Sequence, residues 1–234
     1  MMLADDGSQE KNVLTRREWM LGATAVLGGC VTRSEPPAPM AGPIIDPYHA
    51  AMYGAIYDEP FPVPAVDLTQ IDPRFLRQEI AFRTSERAGT VVVNTSEYHA
   101  YLVLPGGRAI RYGVGVGKEE GFNFQGTATV GRKAAWPGWT PTANMIRREP
   151  DRYAKFAGGL PGGPENPLGA RALYLYRDGR DTLYRLHGTI EPWTIGSMVS
   201  SGCVRFLNHD IIDLYRRVPV GARVVVQAGR SVVS

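Results

Sequence analysis

The chain has 234 residues, with 26 Lys and Arg against 23 Asp and Glu and a net charge of +3. That charge is too mild for a surface that tracks a phosphate backbone, so nucleic acid is excluded as the default partner. A hydrophobic content of 44% supports one sizeable core, and two cysteines, Cys30 and Cys203, exclude both a disulfide scaffold and a four-cysteine zinc site.

Arg16 and Arg17 stand just before an apolar run from Trp19 to Gly29. The run is too short to span a bilayer as a helix and has the length of a signal-peptide core. The arginine pair resembles a twin-arginine export signal, and Leu27-Gly28-Gly29-Cys30 resembles a lipobox, in which the cysteine is acylated and becomes the new N-terminus. On this reading residues 1–29 are a twin-arginine/lipoprotein signal peptide. The mature chain is then periplasmic, held to the outer or inner membrane by acyl chains on Cys30 and not by a transmembrane helix.

Residues 30–68 carry eight prolines between Pro36 and Pro64 and read as a Pro-rich extended tether. Asp72-Pro73 combines an N-cap residue with proline at the first helical position, so 69–87 is expected to be a short helical lead-in. Beyond it, short runs rich in Val, Ile and Tyr between turn residues predict strands at 90–93, 101–104, 109–114, 127–130 and 222–226. Asp178-Gly179 is a hairpin turn between Leu173–Tyr176 and Leu183–His187, which puts His187 at a strand end. Asn208 reads as the N-cap of a helix with Ile211, Leu214, Tyr215 and Val218 on one face and Pro219 and Gly221 as its stop. The proline-rich stretch 136–169 is a long loop, and long loops in compact domains are usually functional. The pattern is that of a mostly β domain.

Cys203 lies in Ser200-Ser201-Gly202-Cys203-Val204-Arg205. With Cys30 assigned to the leader it is unpaired in an exported protein, which favours a reactive thiol over a small buried hydrophobe. Among the four histidines His187 is best placed to take the thiol proton, since His49 lies in the tether, His99 precedes a strand and His209 starts a helix. Gly202 permits a turn that aims its own N–H and that of Cys203 at a carbonyl oxygen. A zinc site from His187, Cys203 and His209 lacks a fourth ligand, so no metal is expected. Papain-like and amidase cysteine hydrolases place Cys before His in the chain, the reverse of the order here.

His187-Gly188-Thr189, Ile195-Gly196 and Ser200 to Arg205 together resemble the active-site signature of the YkuD-type L,D-transpeptidase catalytic domain, in its ErfK-like periplasmic subtype. The resemblance runs over about residues 88 to 228. It takes in Gly113-Val114-Gly115-Val116-Gly117, Trp139 to Met145, Asn166-Pro167-Leu168-Gly169 and Val218 to Val224. It implies a β-sandwich or barrel-like catalytic domain at 88–230 with one or two short helices. It also implies Cys203 as nucleophile, His187 as base, and Gly202 and Cys203 as oxyanion donors. Thr189 and Ser200 match polar positions around the site, Arg205 an arginine that orients it or meets a substrate carboxylate, and Trp139 and Asn166 positions bordering the substrate cleft. The family usually reads Ser-His-Gly-Cys; Ser201 takes the place of the second histidine, which bears on any proton relay and on the choice between amine and water as acceptor.

The implied reaction is acyl transfer on peptidoglycan stem tetrapeptides through a Cys203 thioester, without cofactor. It yields 3–3 cross-links or attaches a wall-linked lipoprotein. The alternatives are an L,D-carboxypeptidase or endopeptidase of the same fold, and a non-enzymatic wall-binding lipoprotein.

Overall fold

Ten short strands share one hydrogen-bonded sheet in the computed structural model, and the path of that sheet returns on itself. The structure describes residues 45–118, 124–200 and 202–228. In chain order the strands are β1 (Gln78–Ala81), β2 (Val91–Asn94), β3 (His99–Leu104), β4 (Arg108–Gly117) and β5 (Gly126–Ala135). β6 (Arg171–Arg177), β7 (Arg180–His187), β8 (Met198–Ser200), β9 (Val204–Phe206) and β10 (Arg223–Gln227) follow. Neighbours run β4-β3-β2-β10-β5-β6-β7-β9, and β9 pairs back onto β4 through Val114↔Phe206 and Gly115↔Arg205, so eight strands close a barrel. β1 and β8 pair onto β4 outside that ring. β7 and β9 run parallel, as do β2 and β10.

Residue patterning explains the closure. Val91 and Val93 of β2 enter the main core with Leu102, Tyr112, Val114, Leu173 and Leu186, while Val92 joins Phe82, Tyr101 and Val103 on the other face. A strand covered on both faces reads as an unbroken apolar run, which is what Val91-Val92-Val93 is. In β4 the glycine alternation has a steric cause: a Cβ on Gly115 would lie 2.8 Å from the Thr194 carbonyl, and one on Gly113 would strike the Phe75 backbone. Val114 and Val116, pointing the other way, fill the core. Asp178 and Gly179 take φ 51° and 73°, the twist that a two-residue hairpin loop between β6 and β7 demands.

The described residues hold four short α-helices: α1 (Pro47–Met52), before the catalytic domain, and α2 (Ala143–Arg148), α3 (Pro150–Tyr153) and α4 (Asn208–Arg217) within it. Ile211 and Leu214 of α4 are fully buried in the main core. Asn208 is the first residue of α4, not its cap; its Oδ1 accepts from the Ala170 N–H at 3.0 Å.

The tether reading fails for residues 45–68. Tyr53 and Val63 are each 1% exposed, and Tyr53, Ile71, Phe75 and Leu76 form a cluster with Ile195 and Leu207. Prolines here start helices as much as they extend the chain: Pro47 and Pro73 sit at first positions behind the caps Asp46 and Asp72. The lead-in helix expected after Asp72 is a single 3-10 turn, Pro73–Phe75, and the chain then turns extended into β1. The expected leader, Cys30 and tether residues before 45 lie outside the described residues.

The lead-in is locked by a polar cluster. Tyr53 Oη donates to both Asp210 oxygens at 3.1 and 3.2 Å and accepts from the Arg77 N–H at 2.7 Å, while the Arg77 side chain reaches Asp210 and Asp213 at 3.7 and 3.2 Å. Burial pushes the Asp210 carboxyl up to about 7; Asp213 adds to the rise, whereas Arg77 and the Tyr53 hydroxyl oppose it. An unfolded Asp titrates near 3.9, so the folded state holds this proton more tightly, and its loss erodes stability as pH rises from about 4 to about 7. Replacing Asp210→Asn is expected to remove that slope: in urea unfolding, wild-type stability should fall relative to the variant by up to about 1.4 kcal/mol per pH unit between about pH 5 and about pH 7. A difference constant across that range would refute the assignment.

Candidate active site

The short parallel pairing of β7 with β9 sets Leu186 opposite Val204 and His187 opposite Arg205. Cys203, one residue before β9, is thereby brought beside the end of β7. Both Cys203 and His187 line a cavity of about 520 Å³, together with Thr189, Ser200, Arg205 and Trp139. The stretch 136–169 supplies one wall through Met145 of α2, Tyr153 of α3 and Leu168.

His187 is 5% exposed, and its Nδ1 lies 2.6 Å from the Gly188 carbonyl oxygen. A carbonyl only accepts, so Nδ1 carries the hydrogen and Nε2 keeps a free lone pair. Gly188 is needed where it stands because a Cβ there would strike the Asn208 side chain. Burial, the Arg205 charge and the Arg185 charge push the His187 pKa down to about 3, against the Gly188 hydrogen bond, so the ring is neutral at ordinary pH.

Cys203 is half-buried, and its Sγ donates weakly to the Leu183 carbonyl at 3.9 Å. Burial pushes its thiol pKa up, while the Arg185 charge and backbone N–H and the Arg205 charge pull it down. The resting pair is therefore a neutral thiol beside a neutral imidazole. Ser200 builds the turn that presents the thiol: its Oγ donates to the Cys203 carbonyl at 2.6 Å and accepts the Gly202 N–H at 3.1 Å. Gly202, at φ 127°, takes a backbone conformation open to glycine.

Two expected roles change. The Gly202 N–H, expected as an oxyanion donor, is engaged by Ser200 Oγ. Asn166, expected at the cleft, is 2% exposed with its amide bonded to the Pro161 carbonyl at 2.8 Å and its Oδ1 to the Leu168 N–H at 2.9 Å. It shapes the loop, and its neighbours Glu165, Pro167 and Leu168 line the cavity instead. Arg205 Nη1 pairs with Glu191 at 2.6 Å, and Thr189 Oγ1 accepts the Glu191 N–H at 3.0 Å, so both hold the loop after His187. Trp139 lines the cavity while its ring packs against Tyr153 and Phe156. His209 is not gathered with Cys203; its Nε2 meets the Gly54 carbonyl at 2.7 Å. Ser201 lies outside the described residues.

Residues that the sequence did not single out complete the site. Leu183, 61% exposed, has φ 65° inside a bulge of β7, where the pairing shifts between Tyr174 and Tyr176. The Asp181 side chain accepts the Leu183 N–H at 2.8 Å, and Thr182 Oγ1 accepts the Tyr184 N–H at 3.2 Å. These two bonds hold a conformation that a leucine adopts at a cost of about 1–3 kcal/mol. The Asp-x-Leu pattern carries no visible bulge signal, because the bulge depends on what β6 presents opposite.

Residues 88–226 match the family described as L,D-transpeptidase catalytic domain. The chain belongs to that family. It is 37% identical over 153 residues to "Probable L,D-transpeptidase ErfK/SrfK" of Escherichia coli, covering 64% of this chain and 47% of that protein. It is 40% identical over 138 residues to "Probable L,D-transpeptidase YbiS" of Escherichia coli, covering 57% and 43%. The chain thus spans less than half the length of these curated relatives. A solved structure described as a probable carnitine operon oxidoreductase from Brucella melitensis shares 47% identity over 69% of this chain and 99% of that one, with a TM-score of 0.46.

The neutral resting pair has a measurable consequence. Alkylation of Cys203 by iodoacetamide should show a midpoint above the ordinary thiol value of about 8.5 in the free protein, because burial outweighs the two arginines. A midpoint below about 7 would reveal a thiolate–imidazolium pair and refute the neutral one.

Proposed function

We propose that this chain is a cysteine-dependent L,D-transpeptidase acting on peptidoglycan stem tetrapeptides. The observation that carries the reading is the joint placement of Cys203 and His187 on one cavity, with Nδ1 turned to the Gly188 carbonyl and Nε2 left as the basic nitrogen. Membership of the family supplies the substrate class. Cys203 Sγ attacks the carbonyl of the third stem residue, and its proton passes to His187 Nε2. Because neither group is charged at rest, proton transfer accompanies attack instead of preceding it. The C–N bond to the terminal D-amino acid breaks, that nitrogen takes the proton from His187, and a thioester remains.

An amine of a second stem, or a lysine of a wall-linked lipoprotein, then attacks the thioester. Its proton goes to Nε2, the C–S bond breaks, and Sγ regains the proton. With Gly202 engaged by Ser200, the Cys203 N–H is the backbone donor we assign to the developing oxyanion. Arg205, held by Glu191, keeps positive charge near the thiol without leaving the β9 strand. We further assign the chain to the periplasm, exported through the twin-arginine signal and anchored by acylated Cys30, and give Ser201 the catalytic position that the family fills with histidine.

Incubation with tetrapeptide muropeptides, read by chromatography and mass spectrometry, should yield 3–3 cross-linked dimers. The Cys203→Ala variant should lose at least about 1,000-fold of that activity and should form no covalent adduct with a carbapenem. Retained activity in that variant would refute the nucleophile, and tripeptide products without dimers would make the enzyme an L,D-carboxypeptidase.

A further inference from the structure

Beside the catalytic cavity lies a second one, of about 290 Å³, that the acyl-transfer chemistry does not use. Thr189 and Ile190 line both, so the two share a wall. Another wall of the second cavity is Pro62 to Val66, before the lead-in and outside the 88–226 family match. Residues outside the family match therefore complete a cavity whose other walls lie within it.

Two observations give it a chemistry. Trp193 lines it and is 60% exposed, and its neighbour Ile190 is 40% exposed. An indole left in water at the lip of a cavity is an apolar surface shaped for a flat partner. His209 also lines the cavity, is 4% exposed, and has a buried Nδ1 with no hydrogen-bond partner among the described residues. Its Nε2 must donate to the Gly54 carbonyl, so Nδ1 is a bare acceptor. Burial and the Arg77 charge hold this ring neutral, which keeps it one. His209 thus brings to the cavity wall a polar side chain with one unmet acceptor.

An N-acetylated pyranose offers hydroxyl and amide donors at its edge and a C–H face that lies flat on an indole. We propose that the second cavity binds the glycan strand of peptidoglycan while the stem peptide borne by that strand lies in the catalytic cavity. This rests on the stem-peptide reading above. The stem residues between sugar and scissile carbonyl reach on the order of 10 Å, a span that suits two cavities sharing a wall.

The test is calorimetric titration of the full chain with the N-acetylglucosamine tetramer and, separately, with glycan strands stripped of peptide. Wild-type protein should bind both. Trp193→Ala, an exposed position whose loss leaves the thermal unfolding midpoint unchanged, should weaken both by at least about 10-fold. With glycan-attached tetrapeptides the same variant should raise KM about 10-fold at constant kcat, and with free tetrapeptide it should change neither. Failure of wild-type protein to bind the strands, or equal binding by Trp193→Ala, would overturn the proposal. Saccharide binding is read without turnover, so loss of this site and failure of the transpeptidase reading remain separate outcomes.

Discussion

β7 and β9 pair at only two register positions, Leu186 with Val204 and His187 with Arg205. Every feature of the candidate site hangs on that short parallel contact. The strand β9 is three residues long and bridges β7 on one side and β4 on the other. Because side chains alternate with period two, a slip of one residue would turn Arg205 away from its present face and carry Cys203 with it. Ser200 on the preceding side and Phe206 in the core on the following side hold the register from both ends.

That placement sets up a conflict between reactivity and burial. The same enclosure that makes an acyl transfer site useful, by excluding water, penalises both the thiolate and the imidazolium. Arg185 and Arg205 lower the pKa of both partners, which favours the thiolate of one and disfavours the imidazolium of the other. Positive charge thus favours a thiolate but not a charged ion pair. Glu191 partly neutralises Arg205 and ties it to the loop that carries Thr189. Under the proposed mechanism, both groups stay uncharged until a substrate carbonyl meets the thiol.

Much of this was legible in the sequence where the signal is local. The β6–β7 hairpin follows from Asp178-Gly179, the buried strand β2 from its valine run, and α4 from its apolar spacing. The proposed nucleophile and base stood out as an unpaired cysteine and a strand-end histidine. The rest depends on contacts between distant segments. The very short β8 and β9 have too few residues to show a period, and the bulge at Leu183 needs β6 opposite it. Asn166 matched a cleft motif, yet its amide turns inward to serve backbone groups left unpaired by neighbouring prolines and turns. Residues 45–68 looked like a tether because proline counts ignore that the buried Tyr53 and Val63 lie among them.

The packing of that lead-in changes what counts as one cooperative unit. Phe75 sits over Gly113 and Gly196, Tyr53 covers Asp210, and Glu59 pairs with Arg171 while accepting the Trp136 indole N–H at 3.1 Å. The strap therefore touches β4, β6, the start of α4 and the loop that follows His187. A boundary drawn at residue 88 by family similarity would cut through this unit and leave a buried carboxylic acid, a buried arginine and two glycine-lined hollows facing water. The inherited module and the folding module are different lengths of chain, and a graft or truncation that preserves the first without the second would expose polar groups that the barrel cannot satisfy alone.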